Sequence, residues 1–161
     1  MKKRCLLAIL AFAGLAALPA ATVSVIVVET GLPPGTGQAE SSSVWESGVM
    51  DALFDAGHIV SNAPIMRLKT LPGTEISAEL RREFDEARLG GADFLVLIFL
   101  AYPESAPEHP REVFMRLYNV SSGKIVQEIS VTAAAWESSG QEFQDAKRNA
   151  GKFVPRMAFK G

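Results

Sequence analysis

The apolar positions along the chain fall into blocks whose spacing predicts three helices packed on a mixed sheet. Val23 to Val28 is almost wholly β-branched and apolar, the pattern of a strand covered on both faces and central in its sheet. A loop rich in Gly and Pro follows from Gly31 to Gly37. Ser43-Val44-Trp45-Glu46 then forms an S-x-x-E capping box, which predicts a helix start. Its stripe is Val44, Trp45, Gly48, Val49, Ala52, Leu53 and Ala56, with Gly57 as the stop. His58 to Ser61 reads as a short strand that Asn62-Ala63-Pro64 interrupts. Proline lacks the ladder donor that a central strand needs, so this strand belongs at an edge.

Pro72-Gly73-Thr74 opens the second predicted helix. Its core stripe is Ile76, Leu80, Phe84 and Ala87, its exposed face carries Glu79, Arg82, Glu83 and Glu86, and Gly90-Gly91 ends it. Phe94 to Leu100 is the most hydrophobic stretch after the leader and predicts a second buried central strand. Tyr102 to Pro110, with three prolines, is a loop. Arg111 to Val120 alternates, with Val113, Met115 and Leu117 on one face and Phe114, Arg116 and Tyr118 on the other. Ser121-Ser122-Gly123 is a hairpin loop, and Lys124 to Ala133 returns as the partner strand. Ser139-Gly140-Gln141-Glu142 repeats the capping-box pattern ahead of a helix with Phe143, Ala146, Ala150, Phe153 and Met157 on one side; Pro155 ends or kinks it.

The predicted order is therefore βαβαβββα, an α/β domain bordering on α+β, with helices packed on one mixed sheet. Right-handed crossovers make the first three strands parallel, and the hairpin adds antiparallel strands on one side. No linker divides residues 22–161, so they form a single domain.

Composition sets the compartment. Lys2, Lys3 and Arg4 precede an apolar run from Cys5 to Leu18 and the small residues Ala20 and Ala21, the order of an export signal over residues 1–21. The run stops at Pro19, short of the roughly 20 apolar residues of a spanning helix. Cleavage is expected near Ala20 or Ala21, and the sequence leaves open whether the leader is removed or kept as an anchor. No later segment is apolar enough to span a membrane stably, so a periplasmic or secreted location follows. Cys5 is the only cysteine and lies before the run, not after it, where a lipoprotein acceptor would sit. Without the leader the chain has no thiol and no disulfide. Removing three leader cations from sixteen leaves thirteen basic against eighteen acidic residues, a net charge of −5. That balance argues against nucleic acid as a partner, since phosphate binding needs clustered Lys and Arg.

Candidate chemistry is sparse. Leu32-Pro33-Pro34-Gly35-Thr36-Gly37-Gln38-Ala39 resembles the P-P-G-T-G core of AAA-type ATPases. Leu32 replaces its leading glycine, Gln38 its phosphate-binding lysine and Ala39 its magnesium-binding hydroxyl, so no nucleotide is expected. His58 and His109 lie in different elements with no ligand spacing around them, and no metal is expected. Serines at 41–43, 121–122 and 138–139 lie outside any G-x-S-x-G elbow and are explained by caps and turns. Trp45 and Trp136 read as packing residues. The adjacent pair Asp85-Glu86 points in two directions on an exposed helix and cannot share a substrate. No catalytic or cofactor-binding residue is assigned, and no cofactor is expected. The loop beginning at Tyr102 combines aromatic, acidic and imidazole groups, and irregular loops on rigid scaffolds often carry contacts. Tyr102, Glu104, His109 and Arg111 are the candidate partner-contact residues.

Three segments carry a family resemblance: Val23-Ser24-Val25-Ile26-Val27-Val28; Gly90-Gly91-Ala92-Asp93-Phe94-Leu95-Val96-Leu97; and Arg116-Leu117-Tyr118-Asn119-Val120-Ser121-Ser122-Gly123-Lys124-Ile125-Val126. Together they resemble the α/β module shared by the TolB N-terminal domain, the curli-secretion lipoproteins and the Lpo-type activators of peptidoglycan synthases. In that group a "G-A-D" strand precedes a hairpin of the form R-L-x-D-V-x-T-G-x-I-V. Here Asn119 and Ser122 stand for its Asp and Thr, and neither a lipoprotein cysteine nor propeller repeats are present. The resemblance implies a non-enzymatic periplasmic module that contacts other envelope proteins. An exposed sheet edge near Pro64 and the loops at 30–40 and 102–110 are the expected contact surfaces. Two rivals remain: an exported hydrolase whose site assembles only in three dimensions, and a small-ligand carrier with an apolar pocket.

Overall fold

A strand buried on both faces needs two layers of cover, and two such strands organise this molecule. The computed structural model describes residues 20–33, 35–71, 73, 77–103, 108–132 and 136–157. In chain order the elements are β1 (Thr22–Thr30), α1 (Glu40–Asp55), β2 (Ile59–Asn62), β3 (Met66–Leu68), α2 (Ala78–Leu89), β4 (Phe94–Ala101), β5 (Glu112–Asn119), β6 (Lys124–Val131), α3 (Ser139–Ala150) and a 3₁₀ turn at Val154–Arg156.

β1 and β4 lie side by side and parallel, from Val23 against Phe94 to Thr30 against Ala101. The sheet order is β2-β1-β4-β5-β6, with β3 also on β1, beyond the break at Ala63-Pro64-Ile65. β2 and β3 run parallel to β1, while β5 and β6 are antiparallel. The mixed sheet, the parallel trio and the edge position next to Pro64 are as the sequence predicts; the short β3 is an addition, making the order βαββαβββα. Gly123 takes the left-handed conformation of the hairpin loop.

Alternation along the strands sorts the core into two layers. Val23, Val25, Val27, Val96, Ile98, Val113, Met115 and Leu117 face α1 and α3, with Trp45, Leu53, Ala146 and Phe153 packed on them. Ile26, Val28, Leu95, Leu97, Phe99, Phe114 and Tyr118 face the other way, under Leu80, Phe84 and Ala87 of α2. At full burial each of the large aliphatic or aromatic side chains contributes about 1.5–3 kcal/mol. On the α2 side Arg116 is buried over the stacked rings of Phe99 and Phe114, with its guanidinium carbon 5.3 and 5.0 Å from their centroids. It bonds Glu128 across the hairpin and the carbonyl of Gly73, so its charge is satisfied while its stem and plane cover apolar surface.

Helix starts differ from the capping-box expectation. α1 begins at Glu40, three residues before Ser43, and Ala39 supplies no side-chain cap. Ser43 accepts from Gln38 instead, at 2.5 Å. α3 is capped by Ser138, whose hydroxyl accepts from the Gln141 amide, and Glu142 turns inward instead of back to the cap. α2 is capped by Ser77, and Glu83, expected on its exposed face, is buried against Arg82. Ile76, Pro72, Thr74 and Ala133 lie outside the described residues, as do residues 1–19. Among the described residues no helix is long and apolar enough to cross a membrane.

Candidate functional site

The polar side chains that the fold gathers lie at the C-terminal end of β1, where the apolar run Val25 to Val28 gives way to Glu29 and Thr30. The Glu29 side chain is 0% exposed. Parallel pairing sets Glu29 opposite Arg67 of β3 on the same face, and Arg67 Nε donates to Glu29 Oε2 at 2.8 Å. The other carboxylate oxygen accepts from Ser42 Oγ at 2.6 Å, and Ser42 also meets the Tyr102 hydroxyl at 2.9 Å. A buried carboxylate is tolerated only when paired and hydrogen-bonded, and Glu29 is both. Arg67 uses its remaining donors on the carbonyls of Thr36 and Gly37, at 2.6 and 2.8 Å. The Gly- and Pro-rich loop therefore turns carbonyl oxygens toward a cation of its own chain.

A second buried carboxylate lies nearby, on α3. Gly48 lets α1 and α3 approach closely: a Cβ there would stand 2.7 Å from the Ala146 Cβ and 2.8 Å from the Phe143 carbonyl. One turn earlier on each helix, Trp45 Nε1 donates to Glu142 Oε1 at 2.7 Å. Ser41 Oγ donates to Glu142 Oε2 at 3.0 Å. Glu142 is 1% exposed.

The described ends of the segment between β4 and β5 reach both carboxylate networks, Tyr102 through Ser42 and His109 beside Glu142. Gly31, at φ +83°, is where it touches the chain leaving β1: a Cβ would fall 2.1 Å from the Tyr102 carbonyl, so only glycine fits. Ser41 Oγ is 3.2 Å from the Glu108 carbonyl and 3.4 Å from His109 Nδ1. That same nitrogen lies 3.6 Å from Glu142 Oε2. An open cleft of about 530 Å³ results, lined by Glu40, Ser41, Glu108, His109, Ser138, Ser139 and Glu142.

Of the four residues singled out by sequence, His109 and Arg111 stand at the surface, and Glu104 lies outside the described residues. Tyr102 does not present itself to solvent: it is buried with its hydroxyl on Ser42. Burial pushes its phenol well above the ordinary value, and the Glu29 and Glu142 carboxylates push in the same direction. The aromatic ring fills core space beside the carboxylates, which loop composition does not reveal. Glu29, Ser41, Ser42, Arg67 and Glu142 escaped the sequence reading. A lone acid closing an apolar run, at Val28-Glu29, is the one sequence signal that points to them.

Serine, histidine and glutamate meeting in a cleft invites comparison with a nucleophilic triad. Such a triad needs one ring nitrogen on the hydroxyl and the other on the carboxylate. Here His109 Nδ1 faces both, and the Ser41 hydroxyl donates its hydrogen bond directly to Glu142. Ser41 is also buried in the first helical turn, not raised on a strand-to-helix elbow. The arrangement ties α1, α3 and the loop together. Among the described residues no group of three or more His, Cys, Asp or Glu is placed to hold a metal ion.

No protein-family model matches the chain, and no curated protein matches it. Solved structures do. They include the PelC dodecamer from Paraburkholderia phytofirmans, 18% identical over 88% of this chain and 90% of that one, with a TM-score of 0.52. The LpoB C-terminal domain from Escherichia coli matches at 15% identity over 70% of this chain and 83% of that one, with a TM-score of 0.41. TolB from Acinetobacter baumannii matches at 15% identity, over 84% of this chain but 29% of the other, with a TM-score of 0.40. The group named from the sequence thus recurs among the structural matches, and at these identities what the chain shares with PelC is a fold.

Proposed function

We propose that this chain is an exported, non-enzymatic interaction module that supports assembly or transport in the cell envelope through protein–protein contacts. The observation that carries the reading is β6. It is an eight-residue strand at the end of the sheet, with every second residue from Lys124 to Ser130 exposed and no strand beyond it among the described residues. A row of open backbone donors and acceptors is a template for a partner strand. The edge expected from sequence, beside Pro64, is broken into pieces of four and three residues and offers a shorter ladder. His109 and Arg111 stand at the surface as further contact residues. That the similar PelC structure is described as a dodecamer supports a role through contacts between chains.

A photoreactive amino acid placed in turn at Val126, Ser130 and Arg111 tests this in living cells. Adducts with envelope proteins are expected at all three, with fewer at a comparison position, Ile59, on the divided edge. Absence of any adduct at all three sites ends the interaction reading.

The convergence of Ser41, His109 and Glu142 favours a second reading, an exported hydrolase. It requires ester or amide turnover that Ser41→Ala abolishes while the fold persists. On the interaction reading the wild-type chain and Ser41→Ala are equally inert toward nitrophenyl esters. The cleft's acidic and hydroxyl lining is the opposite of what an apolar-ligand carrier needs.

A further inference from the structure

His58 begins the edge strand's approach to the sheet and is buried. Its Nδ1 accepts a hydrogen bond from the Ala21 backbone N–H at 3.2 Å. The ring proton therefore sits on Nε2, and that atom is buried with no hydrogen-bond partner among the described residues. Burial holds the imidazole below its ordinary pKa, in the neutral form that keeps the Nδ1 lone pair free.

Ala21 itself is 0% exposed and belongs to the core layer under α1. Its carbonyl accepts from the Ile59 amide at 2.9 Å, and the next residue, Thr22, donates to the Asp93 carboxylate at 2.8 Å. Ala20, one residue earlier, is exposed. Exposure thus changes to full burial between two alanines that sequence alone cannot separate. Each is small enough to precede a cleavage point, and the positions two residues before them, Leu18 and Pro19, are equally unlike the usual small residue.

Physical cost separates them. Cutting after Ala21 would delete a fully buried side chain and remove the donor from His58 Nδ1, leaving the buried ring without a hydrogen bond to the described residues at either nitrogen. Cutting after Ala20 keeps both. We propose that the leader is removed at the Ala20–Ala21 bond and that His58 accepts the α-amino group released there. The inference rests on the exported reading and adds the bond and the acceptor to it. Hydrolysis by a leader peptidase breaks the bond between the Ala20 carbonyl carbon and the Ala21 nitrogen. Water gives its hydroxyl to Ala20 and its hydrogen to the amine. One N–H of the new terminus stays on Nδ1, and the others turn to the solvent that Ala20 occupied.

The full chain, expressed in a bacterial host and recovered from the envelope fraction, is read by N-terminal sequencing and intact mass. The expected start is Ala-Thr-Val-Ser. A start at Thr22 overturns the proposal and leaves export standing, whereas an uncut cytoplasmic chain overturns both. Long-range ¹⁵N NMR of the processed, histidine-labelled chain then tests the acceptor. His58 is expected as the Nε2–H tautomer, with an Nδ1 resonance that shifts as the α-amine titrates near pH 8, the ordinary range for that group being about 7.7–8.0. An Nδ1 resonance that stays fixed through that titration in the folded protein overturns the role given to His58.

Discussion

Glu29 and Glu142 are both buried carboxylates on the same side of the sheet, yet the fold accommodates them by different means. Glu29 meets a full positive charge from Arg67, plus one hydroxyl. Glu142 meets an indole N–H and a serine hydroxyl, with only the half-exposed His109 nearby. The contrast teaches that burial alone does not set what a carboxylate's surroundings contribute. What matters is whether removing a partner strands a charge or merely weakens a set of dipoles.

The contrast can be broken at its stronger end first. Arg67→Ala leaves Glu29 enclosed without its cation and frees the carbonyls of Thr36 and Gly37, so a loss of about 3 kcal/mol in urea unfolding is expected. Adding Glu29→Gln to that variant should restore most of the loss, because the stranded charge disappears; an additive double variant would contradict the pairing. Glu142→Gln offers one carbonyl where two oxygens accepted, and its amide meets either Trp45 or Ser41 as donor against donor. A cost of about 1–2 kcal/mol is expected, together with a shift in tryptophan emission. Tyr102→Phe removes only the hydroxyl on Ser42, which keeps Glu29 as its acceptor, and should cost about 1 kcal/mol by the same measurement. His109→Ala, at the exposed end of the Glu142 network, should change stability by no more than about 0.5 kcal/mol. A loss comparable to that of Arg67→Ala would make the imidazole a true counter-charge and erase the distinction.

The scaffold was far more legible in the sequence than the polar network. Val23 to Val28 and Phe94 to Leu100 announce themselves because a strand covered on both faces has no polar alternation to dilute the signal. The edge position near Pro64 follows from a single missing N–H. The capping boxes at 43–46 and 139–142 match a local spacing, but local spacing competes with partners far along the chain. Glu142 finds Trp45 and Ser41 about a hundred residues away, and Ser42 finds Glu29 and Tyr102. Nothing within a helical turn of any of these residues encodes that preference. Tyr102 misleads for a related reason: the prolines around it describe the loop's backbone, while its ring answers to the cavity beneath.

The two borders of the sheet are unequal. β6 runs unbroken for eight residues, whereas the opposite border is divided around Pro64. Fibre growth by strand addition requires each subunit to offer two matching rims, one to join and one to be joined. Among the described residues one rim alone is unbroken, so a strand docked on β6 would end the series it begins, and this asymmetry works against runaway polymerisation.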